Sequence, residues 1–279
     1  MLPNPGNIKA LAMDLDGTIL APGAVLTERT ARAVGKCIDR GLKIIIATGR
    51  SIDSAEPFRS ALGASGPMVY FNGALVAEMP GGKILKTTLL DTKAVETCVD
   101  ISRETGTFFQ VFFLVEGKEK RLILAAELDG EEREMYHRHT GVVSELGDLK
   151  EALCRFPGSC VKAMFLAEPE QQAVLRPRLE ERLGGSIYVT QTFRNFLEIM
   201  DAKVSKGEGL KFVLETLSLK PEETIAFGDE ENDIPMLDAA GFSVVPSNAK
   251  NAVKARAGLV VGADSEDGVA AFLEEYFNF

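Results

Sequence analysis

The chain has 279 residues, enough for one large or two ordinary domains, and 46% hydrophobic with 26% charged residues is the balance of a soluble globular protein. No apolar run approaches the roughly 20 residues that span a bilayer. Lys+Arg 31 against Asp+Glu 41 leaves a net charge of −10, which repels nucleic acid and anionic membranes, and no basic cluster offsets it.

The opening Met1-Leu-Pro-Asn-Pro-Gly lacks the basic and apolar regions of a signal peptide, so a cytoplasmic protein is expected. Ile8 to Met13 reads as a buried parallel strand that runs into Asp14-Leu15-Asp16-Gly17-Thr18. Glu28 to Asp39 reads as a helix, with Thr27 as N-cap and Gly41 past its end. Lys43 to Ala47 is a second apolar strand, ending at Thr48-Gly49-Arg50-Ser51, where another helix starts. Pro67 to Phe71 is a third, ending at Asn72-Gly73, and Leu75 to Lys86 is a hairpin turning at Pro80-Gly81-Gly82.

From about Thr87 this βα rhythm breaks. A helix over Lys93–Thr105 precedes two strands, Thr107–Val115 and Lys120–Ala126, joined by a charged turn. A polar helix, a strand at Val161–Ala167, a helix at Glu170–Leu183 and a strand at Ser186–Thr192 follow. The rhythm resumes with a strand at Phe196–Met200, a helix at Lys206–Leu217 and the strand Thr224–Phe227, which ends at Gly228-Asp229. Short strands at Ser243–Val245 and Leu259–Val261 and a terminal helix close the chain. The expected fold is α/β, a doubly wound parallel sheet formed by residues 1–86 and 191–279, with an α+β domain inserted at 87–190. Active sites of such sheets lie at the carboxyl ends of the strands, where Asp14, Thr48 and Asp229 fall.

The chemistry begins at Asp14 and Asp16. Side chains two apart in an extended segment share a face, and Gly17 lets the chain turn at once. A carboxylate fixed at a strand end can act as a nucleophile, and a second beside it can move protons. The pair also attracts a hard cation with oxygen ligands, of which Mg2+ is usual beside phosphate. Other polar residues carry less. Cys37, Cys98, Cys154 and Cys160 show no zinc spacing and read as buried small apolar side chains. His137 and His139 read as a solvated pair on a charged helix.

Asp14-x-Asp16-Gly-Thr18, Thr48-Gly49-Arg50, Lys206 and Gly228-Asp229-Glu230-Glu231-Asn232-Asp233, in this order, resemble the haloacid dehalogenase superfamily, most closely its Cof-type sugar-phosphatase-like branch. Asn72-Gly73-Ala74, Leu197-Glu198-Ile199 before Ser205-Lys206-Gly207, Asn248-Ala249 and Glu266-Asp267-Gly268-Val269-Ala270 extend the likeness over nearly the whole chain. The resemblance implies that Asp14 is the nucleophile of an aspartyl-phosphate mechanism and Asp16 the acid/base. It implies that Thr48, Gly49 and neighbouring amides hold phosphoryl oxygens at a helix N-terminus. Lys206 would neutralise charge between nucleophile and phosphate, with Lys203 a nearby rival. Asp229, Asp14 and the Asp16 carbonyl would bind Mg2+, supported by Asn232 and Asp233. Glu230 and Glu231 are read as solvated loop acids, and Arg50 either pairs with an acid near the site or faces the cap. Val245-Pro246-Ser247 stands where relatives often carry Met-Gly, which leaves the role of Asn248 open.

Spacing selects the subclass. Asp14 and Thr48 lie 34 positions apart, too few for a cap domain, whereas Thr48 and Lys206 lie 158 apart. The insertion therefore falls where C2-capped members carry theirs, unlike β-phosphoglucomutase-like enzymes. The implied function is Mg2+-dependent hydrolysis of phosphomonoesters of small metabolites, sugar phosphates foremost. A dedicated sugar-phosphate phosphatase of the mannosylglycerate- or sucrose-phosphate type is the alternative enzyme, and a non-catalytic binding module the alternative outside enzymes. Arg121, Gln191 and Arg194 are polar candidates for cap specificity, each with ordinary surface as its default reading.

Overall fold

The computed structural model describes residues 2–115 and 122–279, and of His139, Thr192 and Phe193 the backbone alone. The chain divides into two compact units, one made of the residues up to Lys86 with Ser205–Phe279, the other of Thr87–Val204.

The first unit opens with β1 (Ala10–Met13), fully buried because Ala-Leu-Ala-Met offers no polar side chain to either face. The helix α1 (Glu28–Asp39) starts where the Thr27 hydroxyl accepts the Thr30 N–H at 3.1 Å. The strand β2 (Lys43–Ile46) follows, then α2 (Ile52–Leu62), capped by Ser51 and stopped by Gly63 in the left-handed region. The strand β3 (Gly66–Tyr70) leads into the hairpin β4 (Leu75–Met79) and β5 (Lys83–Thr87).

The second unit holds α3 (Thr92–Thr105), β6 (Phe109–Leu114), β7 (Leu122–Ala126), α4 (Glu131–Thr140), β8 (Glu145–Leu146), α5 (Leu149–Arg155), β9 (Cys160–Leu166), α6 (Pro169–Leu183), β10 (Ile187–Phe193) and β11 (Phe196–Asp201). Its six strands form one sheet in the order β10-β11-β9-β6-β7-β8. Phe109, Val111 and Phe113 of β6 face a core with Val95, Cys98 and Val99 of α3 and Leu175 and Leu179 of α6. The sequence reading missed α5, a seven-residue helix whose Leu149, Ala152 and Leu153 recur at helical spacing behind the Asp148 cap. Cys154 lies outside that buried stripe and is exposed, so the expectation of four buried cysteines holds for Cys37, Cys98 and Cys160 alone.

The chain then returns to the first unit with α7 (Lys206–Leu217), β12 (Thr224–Phe227), α8 (Ile234–Ala239), β13 (Phe242–Pro246), α9 (Asn251–Lys254), β14 (Leu259–Val261) and α10 (Gly268–Phe277). Its parallel sheet runs β14-β13-β12-β1-β2, and a parallel bridge from Ala47 to Val69 brings β3 beside β2. The return crossing lies between Val204 and Ser205, not near residue 190. The strand read at Phe196–Met200 and expected in the parallel sheet is β11 (Phe196–Asp201), which instead pairs antiparallel with both β9 and β10. Its apolar sequence suits burial in either sheet, and tertiary pairing decides which. Among the described residues no helix is long and apolar enough to cross a membrane.

Candidate active site

The order β12-β1-β2 puts Asp229, Asp14 and Thr48 at one edge of the parallel sheet, since each follows the last residue of its strand by one or two positions. Asp14 continues the ladder, its N–H donating to the Phe227 carbonyl at 3.0 Å. Gly17 then turns with φ +76°, and a Cβ there would lie 2.4 Å from Asp229 Oδ2. A side chain at 17 would therefore displace the Asp229 carboxylate. Thr18 closes this turn by donating its hydroxyl to Asp229 Oδ1 at 2.7 Å.

Lys206 enters from the first turn of α7. Its Nζ donates to Asp14 Oδ1 and Asp233 Oδ1, both at 2.6 Å, with the side chain 1% exposed. Asp233 is held from its other side, since Oδ2 accepts the N–H groups of Asp229 and Glu230 at 3.0 Å each. One carboxylate thus shapes the loop carrying Asp229 and fixes the ammonium that faces Asp14. Lys203, the rival in sequence, is exposed.

Asp14, Asp229 and Asp233 each bring a carboxylate oxygen within 4.8 Å of the others. Three buried carboxylates thus face one ammonium. Burial pushes the Asp14 carboxyl well above the usual carboxylate range against the pull of Lys206, and Asp233, Asp229 and Asp16 add to the rise. Burial and then Asp233 push Asp229 up to about 7, although its Thr18 hydrogen bond and Lys206 act the other way. For Lys206, burial favours the neutral amine, but Asp14 and Asp233 outweigh it and hold the ammonium above its ordinary value. The residues fit a hard divalent cation: the donors are carboxylate oxygens, and the cluster is short of positive charge.

Asp16 points elsewhere. Arg50 grips it with both arms of the guanidinium, Nε to Oδ2 at 2.7 Å and Nη2 to Oδ1 at 2.6 Å. Of the two roles open to Arg50, the structure shows pairing with an acid near the site. Thr48 is buried, and its hydroxyl accepts the Arg50 N–H at 3.1 Å. The helix expected to start at Thr48-Gly49-Arg50-Ser51 is capped by Ser51, the last of these residues. The N–H groups of Thr48 and Ser51 are already donated, to the Val69 carbonyl and the Ser54 hydroxyl. What Thr48 offers an anion is therefore its hydroxyl proton rather than its own amide.

Asn232 is buried and donates Nδ2 to Asn72 Oδ1 at 2.9 Å. Asn248, whose role was open, donates to the Gly17 carbonyl at 2.8 Å and accepts the Asp264 N–H at 2.9 Å, bracing the turn after Asp14. Glu231 is exposed, as expected of a solvated loop acid, whereas Glu230 is half-buried and pairs with Lys250 at 2.8 Å. In the other unit, Gln191 donates to the Arg194 carbonyl at 2.7 Å and Arg194 is exposed, while Arg121 lies outside the described residues. Sequence reasoning missed the Thr18 bond to Asp229 and the partner of Asn72. Both residues stood in quoted motifs, yet their partners lie 211 and 160 positions away.

Compared with known proteins, the chain matches the family model of haloacid dehalogenase-like hydrolases over residues 11–273. It is 29% identical over 274 residues to the 5-amino-6-(5-phospho-D-ribitylamino)uracil phosphatase YitU of Bacillus subtilis strain 168, covering 96% of this chain and 97% of the relative. It is 26% identical over 272 residues to the pyridoxal phosphate phosphatase YbhA of Escherichia coli K12, covering 95% and 97%. The crystal structure of TM0651 from Thermotoga maritima superposes with a TM-score of 0.81 at 26% identity, covering 96% of this chain and 97% of that one. By its motifs, its sheet order and this match along nearly its full length, the chain belongs to the haloacid dehalogenase-like hydrolases, among their Cof-type phosphatases.

Proposed function

We propose that the protein is a Mg2+-dependent phosphomonoester hydrolase of small phosphorylated metabolites, sugar phosphates foremost, acting through an aspartyl-phosphate on Asp14. The observation that carries this reading is the buried Lys206 ammonium bound at once to Asp14 and Asp233. An ammonium so placed pulls Asp14 toward the ionised form a nucleophile needs, against its burial, and meets the charge of an incoming phosphoryl group. Asp14, Asp229 and the Asp16 carbonyl would hold Mg2+, whose charge offsets that on the phosphoryl oxygens. The named relatives act on phosphate esters of small polar molecules, which supports the same substrate class here.

Asp14 attacks phosphorus with a carboxylate oxygen as the bond from phosphorus to the ester oxygen breaks. Asp16 delivers a proton to that departing oxygen. It then takes a proton from water, which attacks the same phosphorus, releases inorganic phosphate and restores the Asp14 carboxylate. Arg50, bound to both Asp16 oxygens, holds that carboxyl in one orientation. The Thr48 hydroxyl and Asn232 orient the phosphoryl group. Residues 87–204 form the cap that selects among leaving groups.

Asp14→Asn tests the covalent step, because the amide is nearly isosteric and a poor nucleophile. Turnover is expected to fall below detection with the circular dichroism spectrum unchanged, and retained turnover in a homogeneous preparation overturns the mechanism. Thorough chelation is expected to stop hydrolysis, with recovery on adding Mg2+. Activity that survives chelation counts against the metal assignment.

A further inference from the structure

The turn after β3 has no assigned task, yet it is the most strained segment near the site. Phe71, Asn72 and Gly73 have φ values of +48°, +56° and +105° in succession, a region that residues other than glycine seldom adopt. Strain concentrated beside a functional site is a reason to ask what it holds in place.

The turn touches three of the four catalytic segments. The Asn72 N–H donates to the Thr48 carbonyl at 3.0 Å, and the Phe71 N–H donates to the Arg50 carbonyl at 3.1 Å. Gly73 lies so near the start of α7 that a Cβ on it would sit 2.1 Å from the Ser205 carbonyl oxygen, one residue before Lys206. The fully buried Asn72 carboxamide accepts the Asn232 Nδ2 hydrogen at 2.9 Å. Asn232 Oδ1 is itself buried with no hydrogen-bond partner, so among the described residues Asn72 is the one side-chain tether of Asn232.

We propose that Asn72 is a positioning residue for phosphoryl transfer: it fixes the amide plane of Asn232 and locks the Asp229–Asp233 loop in register with Thr48 and the base of Lys206. The positive φ follows from this role. The backbone N–H must reach Thr48 while the side chain reaches Asn232, and asparagine is among the few residues that tolerate that conformation. The inference rests on Asn232 belonging to the phosphoryl site, as read above.

A double-mutant cycle on the full-length protein tests it, with Asn72→Gly and Asn232→Ala assayed singly and together on a phosphate ester the wild type hydrolyses. Glycine accepts φ +56° and removes the carboxamide alone. Asn72→Gly is expected to lower kcat/KM by about 10- to 100-fold, mainly through kcat, the scale of a misplaced catalytic group. In the Asn232→Ala background the same change is expected to cost less than about threefold, because the group it positions is gone. A merely structural role would lower the urea midpoint and reduce activity equally in both backgrounds, and losses that multiply overturn the proposal. An Asn232→Ala variant as active as wild type removes Asn232 from the site and the proposal with it. Impaired Asn232→Ala with multiplying losses refutes the positioning role alone. Should Asn72→Gly fail to fold, Asn72→Asp keeps the acceptor for Asn232 and the tolerance of positive φ. It is expected to retain activity within about fivefold of wild type. Loss beyond about 100-fold in that variant, once folded, overturns the proposal as well.

Discussion

At the scale of single residues, the site is an electrostatic arrangement that stability alone does not explain. Each buried ion loses several kcal/mol of hydration, and three carboxylates sharing one ammonium recover that incompletely. Lys206→Met should therefore eliminate turnover and leave the buried carboxyl groups of Asp14 and Asp233 without their ammonium. Its urea midpoint at neutral pH is expected to fall, with a loss of about 3 kcal/mol or more, since an unpaired set of buried carboxylates remains. Asp16 lends itself to a leaving-group test. Asp16→Asn is expected to lower hydrolysis of an alkyl phosphate by about 10²–10⁴-fold but to spare p-nitrophenyl phosphate in part during the first step. Equal loss across a leaving-group series would remove Asp16 from the acid role. Asp14, Asp16 and Asp229 could be singled out in the sequence because carboxylates fall at predicted strand ends. The Arg50 clamp on Asp16 could not, since Arg50 lies 34 positions away and its sequence allows either direction.

At the scale of elements, close backbone approach sets the position of α7 and hence of Lys206. Gly209 sits on the face of α7 toward β3, where a Cβ would lie 2.5 Å from Val69 Cγ1 and 3.3 Å from the Gly73 Cα. Glycine to alanine inside a helix ordinarily stabilises by about 0.5–1 kcal/mol. Here the overlap with a stiff, β-branched side chain in a filled core opposes that gain by about 1–3 kcal/mol. Gly209→Ala is therefore expected to lower the urea midpoint and, by shifting α7, to reduce kcat more than KM. A raised midpoint would show that the sheet yields and that helix position is not set at this contact. In sequence, most element boundaries were legible from apolar runs and capping residues such as Thr27. The short α5 was not, because seven residues give barely two turns of periodicity.

At the scale of the whole molecule, two units each own a hydrophobic core, one around β6 and β9, the other around β1, β2 and β12. A unit with its own core can fold alone. Joining Lys86 to Ser205 through a short Gly/Ser linker should give a monodisperse protein with a cooperative unfolding transition. Under the cap reading this trimmed protein keeps the Asp14 chemistry but loses discrimination across a panel of phosphate esters. A substrate profile unchanged from the full chain would refute that role for residues 87–204.

The sequence by itself determined the class of fold, the Asp14-x-Asp16 motif and the lysine. Those depend on local signals: an apolar run sets a strand, a glycine sets the turn after it, and the order of motifs marks the family. Tertiary structure decided the rest. Phe196–Asp201 went to the second sheet because strand pairing is non-local and its apolar pattern suits either partner. Asp233 became a hinge between Lys206 and two loop amides, Thr18 the anchor of Asp229, and Asn72 the tether of Asn232. Each of those bonds joins segments far apart in the chain, and a side chain's partner across such distances is fixed by packing rather than by its neighbours in sequence.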